Sequence, residues 1–240
     1  MTIETEHSEA TESVPLRKRT RRGDRVRNIV LEVALDCFSS HGFGGTSTRM
    51  IAELSGVTHS LILYHFETKD KLWIATMEEM VGSYAKSISE TLTQNRQRPA
   101  AETLGKFIEQ FVRLSARMPQ IHRILTQQST QSSERLDWLI DSHLREHFEA
   151  VRDLISQCQK EGVVREGDPA RLYYFIIGAV GTPFAVGREY KILTGRDIFS
   201  AAEIHHLIAF ISDVVFIKSK PELRQPLKAD VAKASKPKAG

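Results

Sequence analysis

The stretch TSTRMIAELSGVTHSLILYHF, residues 46–66, decides the fold. Two short runs flank Gly56, and each is preceded by hydroxyl residues able to accept the unpaired amides of a helix start. Thr46 or Ser47 serves the first run and Thr58 the second. Ile51, Ala52, Val57, Ile62 and Phe66 are spaced to pack inward on a preceding helix. Ala52 is small enough for two short helices to cross closely, and Gly56 allows a tight turn between them. Thr58, His59, Ser60, Tyr64 and His65 point outward from the second run, and all carry hydrogen-bonding groups. A helix of that composition suits the major groove of DNA, where donors and acceptors read base edges and phosphates. The segment is therefore expected to be a helix-turn-helix. An αα-hairpin that binds nothing has the same spacing, so geometry alone leaves both readings open.

Outward from this segment the pattern stays helical. Val26, Ile29, Val30, Val33, Cys37 and Phe38 recur at three- and four-residue steps, and the helix they define stops at His41-Gly42 before the loop Phe43-Gly44-Gly45. Downstream stripes predict helices over about 69–93, from Pro99, from Pro119, over about 133–161, from Asp168-Pro169 and over about 201–218. Gly181, Pro183 and Gly187 are expected to kink or shorten the helix opened by Asp168. Neither a useful run of strand alternation nor a fixed-period repeat is present. The expected fold class is all-α, with about nine helices. The expected domains are an acidic then basic disordered arm (1–23), a helix-turn-helix domain (24–68), a helical effector-binding and dimerisation domain (69–218) and a disordered basic tail (219–240).

The formal net charge of +3 over 240 residues conceals a segregation. Residues 1–15 sum to −4, residues 16–27 to +6, residues 218–240 to +5, and the body between is mildly acidic at −4. A basic run abutting a folded head is a nucleic-acid footprint, and equally the composition of a solubilising tail. Cys37 and Cys158 stand apart in apolar surroundings, which argues against a disulfide framework and suits a reducing, cytoplasmic setting. No apolar run approaches the ~18 residues of a membrane span, and the polar N-terminus lacks a secretory signal, so no membrane partner is expected. No cysteine–histidine cluster suggests a metal, and no cofactor is expected. His143 and His147 flank Glu146, but Leu144 and Arg145 break the zinc-protease spacing, and no nucleophile–base set argues for an enzyme. A peripheral membrane protein is a further distant alternative, and the basic run lacks the large apolar residues that role requires.

Phe43, Thr46-Ser47, Ile51-Ala52, Ser55-Gly56-Val57-Thr58, His65-Phe66 and Lys69-Asp70-Lys71-Leu72 resemble the N-terminal domain of TetR-type (TetR/AcrR family) transcriptional regulators. The likeness spans about 25–72, and HFETKDKLW is its most distinctive part. It implies a DNA-binding regulator, generally a repressor released from its operator by a small molecule; an activator or an effector-independent DNA-binding protein has the same fold. The implied DNA-contacting residues are Arg25, Thr46, Ser47, Thr48, Arg49, Thr58, His59, Ser60, Leu61, Tyr64, His65 and Lys69. Thr46 and Ser47 should meet phosphate at a helix N-terminus, and Lys69 resembles the family's phosphate-binding lysine. The sequence departs from the family in having Ser60 where glycine is frequent and Leu63 where tyrosine is usual, so Tyr64 is expected to take that contact one position along.

A head of this size reads only a few base pairs, so a homodimer on two-fold symmetric double-stranded DNA is expected. The resemblance places the dimer interface on the last two helices, through Leu172, Phe175, Ile176, Phe184, Ile204, Leu207, Ile208 and Ile211. It places the effector pocket among the middle helices, with Trp73, Met77, Phe111, His122, His143, His147, Tyr173 and Tyr174 as candidate lining. A Met and aromatic stripe at helical spacing is also what plain core looks like. The arm gains a role from its position: if about six of its charges pair with phosphates, the salt dependence of DNA binding steepens by roughly five units. Deletion of residues 1–22 is expected to weaken binding to all sequences and to flatten that slope, read by anisotropy titration at several salt concentrations. An unchanged slope would exclude the arm from the interface.

Overall fold

The computed structural model describes residues 16–130 and 134–217, with side chains from Gly23 onward. The expected acidic segment at residues 1–15 and the basic tail at 219–240 lie outside the described residues. The elements are α1 (Leu16–Gly45), α2 (Thr48–Ser55), α3 (His59–Phe66), α4 (Lys69–Gln94), α5 (Ala100–Arg117) and α6 (Pro119–Ser129). They continue with α7 (Glu134–Leu139), a π-helical turn (Ile140–Leu144), α8 (Arg145–Lys160), α9 (Pro169–Ala185), α10 (Gly187–Thr194) and α11 (Ala201–Val215). There is no strand among the described residues, only an antiparallel bridge between Val164 and Phe216.

Three boundaries differ from expectation. Helix α1 starts at Leu16, so residues 16–23 are helical rather than part of a disordered arm; arginine and lysine are good helix formers. The helix expected over 133–161 is a run of three segments, because Arg145 N–H reaches back five residues to Ile140 O and inserts a π turn. Helix α10 was not expected as a separate element. The chain ends α9 after Pro183 and bends 79° into it.

Local capping follows the residues named in advance. Ser47 accepts from Met50 N at 3.1 Å, Thr58 from Leu61 N at 3.3 Å, and Asp168 from Ala170 N at 2.9 Å. Gly56 closes α2 at φ 65°, a left-handed value that side chains resist. Between α3 and α4 the reversal is made by Glu67 at φ 60°, with Thr68 N donating to Phe66 O at 2.6 Å. That is a γ-turn of the strained hand, which the sequence did not announce.

Two apolar cores share α4. The head core joins Leu31 and Phe38 of α1, Ile51 of α2 and Ile62 of α3 to Leu72 and Trp73 of α4. Ile121 and Ile124 of α6 and Leu139 of α7 complete it. The second core gathers Ile108 of α5, Ile155 of α8, Ile176 of α9 and Ile211 of α11. Fully burying each such side chain is worth about 1.5–3 kcal/mol, so the head draws part of its stability from the body's α4, α6 and α7.

The turn between α1 and α2 is held by polar pins. Thr46 Oγ1 donates to Gly42 O at 2.8 Å and Cys37 O at 3.1 Å. Lys69 Nζ donates to Phe43 O at 2.9 Å and Thr46 O at 3.1 Å, and sits 4.2 Å from the centre of the Phe43 ring. The Arg135 guanidinium of α7 lies 3.8 Å from the same ring centre and 3.4 Å from Asp70. Helix α6 adds Gln120 donating to Asp36 at 2.7 Å and Gln127 donating to Ser39 O at 3.1 Å. Lys69→Met should therefore lower stability by about 1–3 kcal/mol, the worth of hydrogen bonds made by a charged donor. Lys71→Met, which removes only an exposed pair with Glu67, should stay within about 0.5 kcal/mol. Urea denaturation of the two variants checks the contrast.

Candidate functional site

Helix α3 buries Ile62 and Phe66 against the head and turns its other faces to solvent. Ser60 and His65 are exposed, and Tyr64 is 81% exposed. Leu63 is 41% exposed beside Tyr64, and Leu61 is half-buried. On α2, Arg49 is exposed and Ser47 is at the N-cap. Arg25 is exposed on α1. Apart from Leu61 these groups are exposed, and α3 offers its hydrogen-bonding side chains outward from a packed support.

Other expected contacts are spent inside the protein. Thr46 is 2% exposed with its hydroxyl committed to α1 carbonyls, so it cannot reach a phosphate. It pins the turn that Ser47 then caps. Lys69 is half-buried with two donors on backbone carbonyls, which makes it a clamp rather than a free cation. Thr48 Oγ1 and His59 Nε2 are hydrogen-bonded at 2.9 Å, so this pair ties α2 to α3 and sets the angle of the outward helix. Sequence spacing placed these residues correctly at helix starts. It carried no signal that their side chains fold back.

The second feature is an apolar cavity of about 80 Å³ between α4, α5, α6, α8 and α9. Phe111, His122, His143, His147 and Tyr173 line it as expected. Trp73 and Met77 do not: they are 1% and 0% exposed within the head core. Tyr174 is 67% exposed on the outside. Tyr84, Phe107 and Ile177 were not anticipated, because only the packing of α4, α5 and α9 turns them toward one point.

The polar groups of the cavity wall are few. Ser115 Oγ donates to Phe111 O at 2.7 Å and accepts from His122 Nε2–H at 2.8 Å, with Tyr84 Oη 3.3 Å away. His122 lies so near α9 that a Cβ at Gly181 would stand 2.6 Å from its Nδ1. Burial lowers the His122 pKa to about 4 and pushes that of Tyr173 up to about 12, the latter helped by Tyr174. His147 directs Nδ1 at His143 O (2.9 Å) and Nε2 at Ala85 O (2.6 Å) and Ser89 Oγ (2.8 Å). No group of three potential metal-ligating side chains occurs among the described residues.

The expected dimer face needs correction. Ile176, Phe184 and Ile211 are 0%, 2% and 1% exposed and face the protein's own core. Leu172, Ile204, Leu207 and Ile208 are half-buried against that core. Apolar side chains that do reach the surface of α9 and α11 are Tyr174, Phe175, Phe210 and Val214. The resemblance pointed to the two helices, and burial shows which of their apolar side chains reach the surface.

This head and this body define a helix-turn-helix transcriptional regulator. Residues 30–76 match the family of bacterial regulatory proteins named for TetR, and residues 101–215 match the tetracycline-repressor-like C-terminal domain. The chain belongs to the TetR family. It is 27% identical over 207 residues to the transcriptional regulator RutR of Escherichia coli K12, covering 85% of this chain and 95% of that protein. It is 26% identical over 182 residues to the transcriptional repressor AcnR of Corynebacterium efficiens, covering 76% and 89%. Among solved structures it shares its fold with AibR in complex with isovaleryl coenzyme A and operator DNA, at a TM-score of 0.64 and 18% identity, over 80% of this chain and 98% of that one. These matched relatives are regulators, not enzymes.

The buried histidine makes an acid-side prediction. An unfolded histidine titrates near 6.5, above the value His122 has when folded, so the unfolded chain takes the proton first. The stability contributed by neutral His122 is complete above about pH 6.5 and is lost as pH falls toward about 4, at up to about 1.4 kcal/mol per pH unit. His122→Gln should show a shallower loss across that window in denaturation curves at stepped pH, and an identical slope would assign the loss to other groups.

Proposed function

We propose that the chain is a repressor that binds a two-fold symmetric operator as a homodimer and leaves it when a small molecule enters the body. The observation that carries this reading is the outward face of α3, where Ser60, Tyr64 and His65 stand exposed on a helix whose other side is locked into the head. Arg25, Arg49, Ser47 and Thr58 extend that surface, and Leu61 or Leu63 supplies an apolar edge of the kind that meets a thymine methyl. Phosphate contacts would set the register while Ser60 and Tyr64 read bases. The exposed Tyr174, Phe175, Phe210 and Val214 form a natural pairing face between two copies. A protein that acts on chromosomal operators works in the cytoplasm.

Release requires that the ligand prefer a body shape whose heads no longer match the operator spacing. Helix α6 joins the two ends physically. Ile121, His122 and Leu125 face the cavity, while Gln120 and Gln127 of the same helix hold α1 of the head. The cavity is smaller than the ~150 Å³ void known to hold a benzene, so a ligand of ordinary size must push its walls apart, and α6 is one of them. AibR, which was crystallised with both an acyl coenzyme A and operator DNA, is a relative in fold that binds both kinds of partner.

The operator is obtained by selection from a random DNA pool, and a two-fold symmetric site is expected. On that site Tyr64→Ala and Ser60→Ala should each weaken binding by about 1–3 kcal/mol, with relaxed preference at particular positions. Arg49→Ala should weaken binding to all sequences and reduce the salt slope by about one. Selection of an asymmetric site, or full affinity in Tyr64→Ala, would overturn the proposal.

A further inference from the structure

We propose that the cavity takes an uncharged, mainly apolar molecule bearing a single hydrogen-bonding group, such as an alcohol, ketone or phenol, and that His143 on the π turn holds that group. The inference rests on reading the cavity as the effector site and names the ligand class that site accepts.

The first observation is an unmet polar atom. His143 Nε2 is buried and has no hydrogen-bond partner in the protein, and such an atom costs about 1–3 kcal/mol until something meets it. Several other polar groups of the wall are engaged: His122 Nε2 and Tyr84 Oη converge on Ser115, and His147 turns Nδ1 to His143 O and Nε2 to Ala85 O and Ser89 Oγ, while the Tyr173 hydroxyl is a second group open to a ligand. Among the described residues His143 Nε2 is thus a fully buried ring nitrogen of this wall left without a partner. Its place depends on the π turn, where Arg145 N–H bonds Ile140 O five residues back. The extra residue in that turn re-aims the side chains it carries, a feature that recurs at functional sites.

The second observation is charge. The described lining contains no lysine, arginine, aspartate or glutamate. Burial lowers the His143 pKa, opposed in part by Glu78 and assisted by His147, so at neutral pH it offers an uncharged ring rather than a counter-ion. A carboxylate, phosphate or ammonium drawn into these walls would lose its water without gaining a partner of opposite charge, an outcome that costs several kcal/mol. A neutral hydroxyl or carbonyl loses far less and satisfies His143.

The third observation is access. A groove on the outer face, lined by Gly82, Ser89, Asp141 and Glu146, shares Ala85, His143 and His147 with the cavity. His143 packs close over Gly82 at this groove: an added Cβ there would meet His143 Cε1 at 3.5 Å, an ordinary contact distance. The rim carries Lys86 as well as Asp141 and Glu146, and Asp141 is paired with Arg145, so it favours neither sign of charge.

Tryptophan emission tests the proposal without DNA. Trp73 and Trp138 are the two tryptophans of the chain, and the Trp138 ring lies 5.3 Å from that of His143. The full-length protein is titrated at pH 7.5 with 1-alkanols of four to eight carbons and with 4-alkylphenols. The alkanoates, alkylamines and 4-alkylbenzoates of matched skeleton form the comparison. At least one neutral series should saturate, at least about tenfold tighter than its ionic counterparts. His143→Phe should weaken that binding about tenfold, while His143→Gln, which keeps a donor and an acceptor, should recover most of it. Equal or tighter binding of the ions, no saturation by any neutral compound, or unchanged affinity in both variants would overturn the inference. Operator binding by the same preparations, measured separately, distinguishes failure here from failure of the DNA-binding reading.

Discussion

The ring of Phe43, in the head, is gripped by two cations of the body. Lys69, at the start of α4, lies 4.2 Å from its centre and ties down the carbonyls of the α1–α2 turn. Arg135, on α7, lies 3.8 Å from the same ring centre and is also paired with Asp70. A cation over an aromatic face is worth about 0.5–2 kcal/mol, a modest energy. Its position matters more than its size, because it joins the turn that launches the DNA-reading helices to the segment leading into the π turn. With α6 bonded to Asp36 and Ser39, the head has two separate attachments to the helices that surround the cavity.

That arrangement gives the proposed effector cavity a physical connection to the head. Cores are close-packed and deform by moving whole helices rather than by local compression. The cavity wall includes α6 and His143 of the π turn, which follows α7, so both attachments to the head lie at or next to the walls that the proposed ligand would displace. The head in turn is stiff: Thr46 and Lys69 hold its first turn, and the Thr48–His59 bond holds α2 to α3. On the proposed reading, a shift of α6 or α7 would reach the recognition helix through these bonds.

Much of this was legible in residues whose role is local. Ser47, Thr58 and Asp168 cap helices because a short hydroxyl or carboxylate reaches the amides two or three positions on, whatever lies beyond. Gly56 marks the turn for an equally local reason. The outward set on α3 followed from period and polarity alone. What misled was range. Thr46 and Lys69 look like phosphate ligands when only their positions at helix starts are known, yet each finds carbonyls of a turn that is distant in sequence or hidden by the loop. Trp73 and Met77 share a helix with the true lining residue Tyr84, but α4 passes from one core to the other between them.

The sequence by itself determined the helical class, the helix-turn-helix with its caps and outward polar face, and the segregation of positive charge beside that head, because each depends on spacing within a few residues. Tertiary structure alone decided which face of each amphipathic helix is core, cavity or surface. Ile176 and Ile211 turned inward while Phe210 and Tyr174 stayed out, and His143 Nε2 was left buried without a partner. The reason is physical: periodicity marks a stripe as apolar, but what the stripe meets is settled by the angle at which another helix crosses it, and no local pattern encodes that angle.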